Sequence, residues 1–147
     1  MSKLIASNKR AFFDYFIEEK LTAGLVLKGT EVKSIRLGKV NLTESFVTIS
    51  QGEAWAHQIL IGHYSHGNRF NHEENRKRKL LLNKKEIEHF DHLSKIKGLS
   101  IIPLKMFFEK SYVKLEIGLA KVKKIHDKRE SLKSKEADRK IQSKNYD

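Results

Sequence analysis

Hydrophobic and polar residues alternate near the end of the apolar part of the chain. Every second residue of 113–119 is apolar, the pattern of a strand with one buried face. The segment 100–108 is also rich in apolar residues, and 109–111 join the two, so the sequence predicts a hairpin. Pro103 cannot donate a backbone hydrogen bond, which predicts an edge position or a bulge in the first strand.

The same alternation predicts further short strands. They cover 12–19, 24–28, 45–50 and 53–60, the last two joined as a hairpin across 51–52. Helical spacing occurs twice. Thr30 is predicted to cap a short helix that ends at Gly38. Asn83 and Glu86 form a capping box for a second helix, which ends at Gly98. The pattern predicts a mainly β (α+β) fold, a small antiparallel barrel of the oligonucleotide-binding (OB) type with two or three flanking helices.

The net charge narrows the class of partner. Thirty Lys and Arg against eighteen Asp and Glu give +12, and the pI is about 9.8. Such a charge repels itself in a compact fold and predicts a polyanionic partner. Nucleic acid is favoured over a membrane surface, because the chain shows no strong basic amphipathic helix with bulky apolar anchors. With no long apolar span and no secretory signal, we expect a cytoplasmic protein without membrane contact.

Charge and hydrophobicity also divide the chain into two regions. Residues 1–120 hold the predicted RNA-binding barrel. Residues 121–147 carry ten basic and five acidic side chains and few apolar ones, so we expect a basic tail that is mobile in the free protein. Its many good helix formers predict that the tail becomes helical once a partner neutralises it.

The sequence offers little for catalysis. Cysteine is absent, which excludes disulfides, thiolate metal sites and cysteine nucleophiles. The segment 28–34 has the residue types of a phosphate-binding loop without its spacing, and no Gly-x-Ser-x-Gly elbow occurs. We therefore expect neither an enzyme nor a cofactor. His63, His66 and His72 leave open a metal-dependent RNA hydrolase, although loop histidines that are solvated or contact RNA are the simpler interpretation.

A run of four basic residues is the strongest binding candidate. In an extended segment, Arg76 and Arg78 lie on one side. Lys77 and Lys79 then lie on the other side, so that one of the two rows can face a phosphate backbone. The alternative is a solvated charge run, and the charge of the whole chain favours binding.

Aromatic residues follow a second basic segment near the N-terminus. Asn8-Lys9-Arg10 precedes Phe12, Phe13, Tyr15 and Phe16. Basic residues beside aromatic ones suit RNA backbone contact combined with base stacking. For Phe12 and Phe13 we expect packing in the core instead, and Trp55 is assigned to the core or to the barrel surface.

Several stretches match more than general RNA binding requires. In chain order they are Asn8-Lys9-Arg10-Ala11, Asp14-Tyr15-Phe16-Ile17-Glu18-Glu19, Ala23-Gly24, Gly29-Thr30-Glu31-Val32-Lys33-Ser34, Gly38-Lys39 before Asn41-Leu42, Arg76, Arg78, Lys79, Leu80-Leu81-Leu82, Lys123-Lys124 and Asp127-Lys128-Arg129. This order resembles the SmpB family, the tmRNA-binding proteins of bacterial trans-translation, over essentially the whole chain.

The resemblance implies an OB-like barrel that grips the tRNA-like domain of tmRNA and carries it to the A site of a stalled ribosome. The tail would occupy the decoding centre and the empty mRNA channel of the small subunit. Rescue of the ribosome and tagging of the nascent peptide would follow, and the protein itself would catalyse nothing. We expect it to be monomeric when free. The alternative is a general basic RNA-binding or ribosomal protein without preference for tmRNA.

The resemblance also implies a set of site residues. Positions that match the tmRNA-facing set are Asn8, Lys9, Arg10, Tyr15, Glu31, Lys33, Asn83 and Lys114, and charge and placement add Arg76, Arg78 and Lys79. Glu31 would accept hydrogen bonds from RNA, whereas a first-turn helix carboxylate is the alternative. Tail positions tied to ribosome engagement are Lys123, Lys124, Asp127, Lys128 and Arg129, with His126 placed to stack on a base.

Two parts of the chain depart from the family pattern. Val122 stands where a glycine commonly precedes the paired lysines, so we expect a stiffer hinge before the tail. Glu73-Glu74 replaces an Asp-Pro pair, which removes a rigid turn and adds negative charge.

Overall fold

The computed structural model describes residues 2–65 and 71–123, which form nine strands and three helices. In chain order these are β1 (Ser2–Ser7), α1 (Lys9–Asp14), β2 (Tyr15–Leu25), α2 (Gly29–Arg36), β3 (Val40–Asn41), β4 (Phe46–Ser50), β5 (Glu53–His57), β6 (Leu60–Ile61), β7 (Arg78–Leu81), α3 (Lys84–Lys97), β8 (Ser100–Glu109) and β9 (Tyr112–Val122). Over this part of the chain, no helix is both long and apolar enough to cross a membrane.

Six strands close into an antiparallel ring. β8 pairs with β4, β4 with β5, β5 with β7, β7 with β2 and β2 with β9, and β9 returns to β8. β1 extends the sheet along β8, while β3 and β6 form a separate ladder. Alternate side chains of β9, including Leu115, Ile117 and Leu119, are buried inside the ring. Their removal from water favours closure of the barrel. The predicted mainly β, OB-like architecture with flanking helices is confirmed.

The long hairpin agrees with the sequence pattern. β8 and β9 pair from Ser100 opposite Ala120 to Glu109 opposite Tyr112. Their register shifts just after Pro103, which confirms the predicted bulge. The hairpin formed by β4 and β5 is also confirmed.

Asn8 fills a gap in the sheet where β1 and β4 each pair with a different part of β8. Its backbone N–H donates to the carbonyl of Leu104 at 2.7 Å. Its side-chain amide donates to the carbonyls of Pro103 and Leu42, both at 3.1 Å. The amide oxygen accepts the N–H of Ala11 and caps α1. Asn8 is buried, and its polar groups are satisfied within the fold.

The N-terminal segment differs from the sequence prediction. Residues 9–14 form α1, whereas the alternation predicts a strand from residue 12. β2 then continues without a break over Tyr15–Leu25, which includes 15–19 of the first predicted strand and 24–25 of the second. Ala11 is the α1 residue that is buried. Phe12 is 45% exposed, so its assignment to the core is wrong, because the helix turns this side chain outward.

The two longer helices have well-defined ends. The N-cap of α2 is Lys28, two residues before the predicted Thr30. α3 begins with the predicted capping box of Asn83 and Glu86. It ends at Gly98, whose φ of 64° is the left-handed conformation that glycine adopts readily.

The barrel extends slightly beyond the boundary that the sequence predicts at residue 120. β9 ends at Val122, and the N–H of Lys123 donates to the carbonyl of Asp14 at 2.9 Å. The Nζ of Lys123 donates to the carbonyl of Phe12 at 3.2 Å. These bonds attach residue 123 to the corner between α1 and β2. The predictions for Lys124, His126, Asp127, Lys128 and Arg129 lie outside the described residues.

Candidate RNA-binding surface

The side chains of the basic residues 76–79 alternate between the inside and the outside of the barrel along β7 and the two residues before it. Arg78 is fully buried and the Arg76 side chain is 24% exposed, while Lys77 and Lys79 lie on the outer surface of the barrel. The predicted separation into two rows is therefore present. The arginine row points towards the interior of the fold, and the lysine row points outward.

The two arginines converge on one buried carboxylate, that of Glu31 in the first turn of α2. Arg78 Nε donates to Glu31 Oε2 at 2.6 Å, and Arg76 Nη2 donates to Oε1 at 2.5 Å. The backbone N–H of Lys28 donates to the same Oε1 at 2.7 Å. Glu31 therefore accepts the N-cap N–H at the start of α2 and also neutralises part of the arginine charge.

The ionised form of Glu31 is favoured in this setting. Burial by itself raises the pKa of the carboxyl group. The hydrogen bonds from Arg76 and from the Lys28 backbone, together with the charge of Arg78, outweigh burial and hold the pKa of Glu31 below its ordinary value. Burial also lowers the pKa of Arg78, and the charge of Glu31 opposes that shift. An arginine remains charged in proteins, so the cluster is ionic.

Arg78 also organises the surrounding backbone. Its Nη1 donates to the carbonyl of Ile59 at 2.7 Å, and its Nη2 donates to that of Glu74 at 3.1 Å. The cluster thus joins α2, β7, the chain that follows β5 and the segment before Arg76. The sequence departs from the family pattern at Glu73 and Glu74, and the backbone carbonyls of both residues accept hydrogen bonds from Arg78.

His72 adds a further link between the same segments. It is buried, and its Nε2–H donates to the carbonyl of Ile61 at 2.8 Å, because a carbonyl can only accept. Its Nδ1 lies 2.8 Å from the hydroxyl of Thr30 in α2. Both ring nitrogens are used in structural hydrogen bonds. In residues 2–65 and 71–123, no cluster of side chains could hold a metal ion.

The outer face of β4, β5 and β7 carries aromatic residues that the sequence analysis missed as a group. The rings of Phe46 and His57 stack with centroids 4.9 Å apart and an interplanar angle of 12°. Lys77 Nζ lies 4.3 Å from the ring centroid of Trp55, which is half-buried on this face. Burial, and then the charge of Lys77, lower the pKa of His57. The alternation of 46–50 and 53–57 carries the signal that could have placed these side chains on one face.

Comparison with known proteins decides the family. The family model described as SmpB protein matches residues 5–146. The chain belongs to the SmpB family. Among curated SmpB relatives, the SsrA-binding protein of Carboxydothermus hydrogenoformans is 53% identical over 142 residues, which cover 97% of this chain and 95% of the relative. The SsrA-binding protein of Bacillus cereus strain AH820 is 53% identical over 139 residues, covering 95% of this chain and 90% of the relative.

A solved SmpB-type structure shares the fold. It is described as "tmRNA-SmpB: a journey to the center of the bacterial ribosome". One of its chains is 44% identical to this chain, with a TM-score of 0.70, and the match covers 82% of this chain and 85% of that one.

The structure divides the candidate RNA-binding residues by accessibility. Lys9, Arg10, Lys33 and Asn83 are exposed, and Tyr15, Arg76, Lys79 and Lys114 are half-buried. Asn8, Glu31 and Arg78 are buried and bonded within the fold. Direct contact of these three side chains with RNA would require each of them to leave its internal partners.

The exposed candidates come from separate elements. Lys33 projects from α2, with its Nζ 5.3 Å from the ring centroid of Tyr64. Arg10 lies on α1, where its Nε donates to Asp14 at 3.2 Å. Asn83 is the N-cap of α3, and its side-chain oxygen accepts the N–H of Glu86. The structure therefore brings together the side chains of Glu31, Arg76 and Arg78, while Lys9, Arg10, Tyr15, Asn83 and Lys114 lie on other parts of the fold.

Proposed function

We propose that this protein binds the tRNA-like domain of tmRNA and enters stalled ribosomes with it, as a binding protein that catalyses no reaction. The observation that carries this proposal is the family match over 5–146, which includes the basic tail as well as the barrel. Relatives at 53% identity over nearly their whole length carry the name SsrA-binding protein, and SsrA RNA is tmRNA.

The electrostatics of the chain support an RNA partner. Basic side chains of a chain with a net charge of +12 can neutralise RNA phosphates and release the counterions that are condensed on the RNA. Three exposed cations are available for such contacts: Lys9, Arg10 and Lys33. The ion pairs of Glu31 with Arg76 and Arg78 hold α2 and β7 together, the elements that carry Lys33 and Lys79. We therefore assign contact roles to the exposed candidates and positioning roles to Asn8, Glu31 and Arg78.

The tail carries the second half of the proposal. Residues 124–147 would engage the decoding centre and the mRNA channel, with Lys124, His126, Asp127, Lys128 and Arg129 as the engaging group. Lys123 is bonded to the α1–β2 corner, so the tail begins from a fixed point on the barrel. Binding of tmRNA and action on the ribosome would then depend on different parts of the chain.

A binding titration of the full chain tests the first half. The tRNA-like domain of tmRNA and bulk tRNA are compared from about 50 to 200 mM salt. Phosphate contacts alone lose affinity steeply over that range and do not distinguish RNAs. We expect the preference for tmRNA to persist at the upper end, because shape and unpaired bases are also recognised. Equal affinities for the two RNAs would instead identify a general basic RNA-binding protein.

A truncation tests the second half. A chain that ends at Lys123 keeps all of β9 and its bonds to the α1–β2 corner. We expect its affinity for the tRNA-like domain to lie within about threefold of that of the full chain. We also expect that peptide tagging on stalled ribosomes is lost when it replaces the full chain. Full tagging by the truncated chain would contradict the role of the tail, and loss of RNA binding would place the tail in the RNA clamp.

A further inference from the structure

The outer surface of β4, β5 and β7 carries aromatic and basic side chains that take no part in the cluster of Glu31, Arg76 and Arg78. We define the β4–β5–β7 face by its outward side chains, Phe46, Thr48, Trp55, His57, Lys77 and Lys79. Across the strands, Trp55 lies opposite Thr48 on one side and Lys79 on the other. Aromatic and basic side chains are therefore interleaved on one surface of the barrel.

The Phe46–His57 pair is fixed before any ligand binds. The rings stack nearly parallel, and the Thr48 hydroxyl lies 2.7 Å from His57 Nε2, which holds the imidazole in place. Phe46 is still 43% exposed, although one face of its ring is covered by His57. A flat ring with one supported face and an exposed surface loses little freedom when another ring stacks on it.

Trp55 provides a second ring on the same face. Its present partner is the ammonium group of Lys77, an exposed side chain that can move aside. A nucleobase that replaces Lys77 on the indole frees the ammonium group to contact the adjacent phosphate. Lys79 lies next to Trp55 and is neutralised only partly, through a 3.1 Å contact with the half-buried Glu53.

We propose that the β4–β5–β7 face stacks unpaired nucleotides of RNA, with Phe46 and Trp55 as the stacking rings and Lys77 and Lys79 as phosphate contacts. Single-stranded RNA is recognised by this combination in many binding proteins, because every base has a flat face and every nucleotide has a phosphate. The inference deepens the proposed function, since it rests on RNA being the partner. The nucleotides belong either to tmRNA or to ribosomal RNA.

Trp55 is the single tryptophan of the chain, so its fluorescence reports on this face alone. The full-length protein is titrated with the tRNA-like domain of tmRNA, and separately with a fragment of small-subunit ribosomal RNA that contains the decoding region. A mobility shift measures binding independently. We expect the RNA that supplies the unpaired nucleotides to quench the emission of Trp55. Quenching and the mobility shift should then depend on RNA concentration in the same way.

The outcomes separate the inference from the proposed function. Quenching by either RNA supports the face as a stacking surface and identifies the source of the nucleotides. Saturated binding of both RNAs with unchanged Trp55 emission overturns the inference and leaves the proposed function intact. Failure to bind the tRNA-like domain contradicts the proposed function itself.

Matched variants test the energetic contribution of the face. Stacking on one ring changes affinity by at least about fivefold, so Phe46→Leu is expected to weaken binding of the quenching RNA by that factor. Tyr112→Leu is the control, because Tyr112 is 68% exposed in the β8–β9 hairpin and lies off this face. Lys77→Gln is compared with Lys3→Gln, which removes the same charge from an exposed position on β1, away from this face. Equal effects within each pair would refute a specific role for the face, and the wild-type quenching remains decisive if a variant does not fold.

Discussion

Replacing Glu31 by glutamine should destabilise the barrel far more than the same replacement at Glu86. Both residues occupy the third position of a helix, and both accept the N–H of the N-cap residue, at 2.7 Å in α2 and 3.0 Å in α3. Glutamine retains that capping bond. The difference between the two sites is that Glu31 is buried against Arg76 and Arg78, whereas no ion pair involves Glu86 in the described residues.

The expected magnitude follows from the partners that Glu31 leaves behind. Arg78 is fully buried, keeps its charge and loses the carboxylate that accepts its Nε–H at 2.6 Å. Removing one member of a buried ion pair costs about 3–5 kcal/mol, because the remaining charge is uncompensated. The amide nitrogen of glutamine would also face a guanidinium donor. At Glu86 the change is expected to stay within about 0.5 kcal/mol, as for ordinary surface substitutions.

Urea unfolding followed by far-ultraviolet circular dichroism measures both variants and the wild type. A loss of about 3–5 kcal/mol is a large part of the 5–15 kcal/mol that typical domains possess, so the midpoint should move clearly for Glu31→Gln. The slope with urea should be unchanged if the folded structure is kept. A loss of less than about 1 kcal/mol, or equal losses at the two sites, would refute the argument that the buried ion pair carries the difference.

Two further predictions concern pH and packing. Because the folded state lowers the pKa of Glu31, the stability it contributes is present above the ordinary value of 4.5 and is lost as the pH falls through the lower pKa of the folded state. The free energy of unfolding of the wild type should therefore fall more steeply below pH 4.5 than that of Glu31→Gln. Parallel pH dependences of the two proteins would contradict a lowered pKa of Glu31 in the folded state. At Gly118, an added Cβ would meet Leu104 at 2.9 Å and Ile17 at 3.0 Å. Gly118→Ala should cost about 1–3 kcal/mol in thermal unfolding, and an unchanged melting temperature would show that the core accommodates the methyl group.

The sequence predicts the strands well where the chain alternates and a known turn follows. The β8–β9 hairpin, the bulge after Pro103 and the capping box at Asn83 are local features, so their residues carry the whole signal. The short α1 was missed because its apolar residues also fit a strand. It forms because Asn8, tied to the carbonyls of Pro103 and Leu42, caps its first turn. Those partners are distant in sequence and give no local pattern.

The functional candidates show the same limit. Alternation correctly separates Arg78 from Lys79, yet charge alone suggests that both rows are on the surface. The carboxylate that draws the arginines inward is Glu31, 47 residues away from Arg78 in the chain. A resemblance at Glu31 identifies an important position without stating whether it contacts RNA or supports residues that do. The structure adds that the Glu31 side chain is buried and paired with Arg76 and Arg78 in the free protein.

Neighbouring strands of the ring differ in the number of positions at which they pair, and this number determines where the ring opens most easily. β4 and β8 share one paired position, Val47 with Ile101, whereas β2 and β9 share nine. The least costly local opening is therefore at the β4–β8 junction, beside the bonds that Asn8 makes. An opening there would release one end of β4 and leave β2, β9 and β8 paired. The pairing of β2 with β9 then still holds Lys123, from which the tail begins, in place on the barrel.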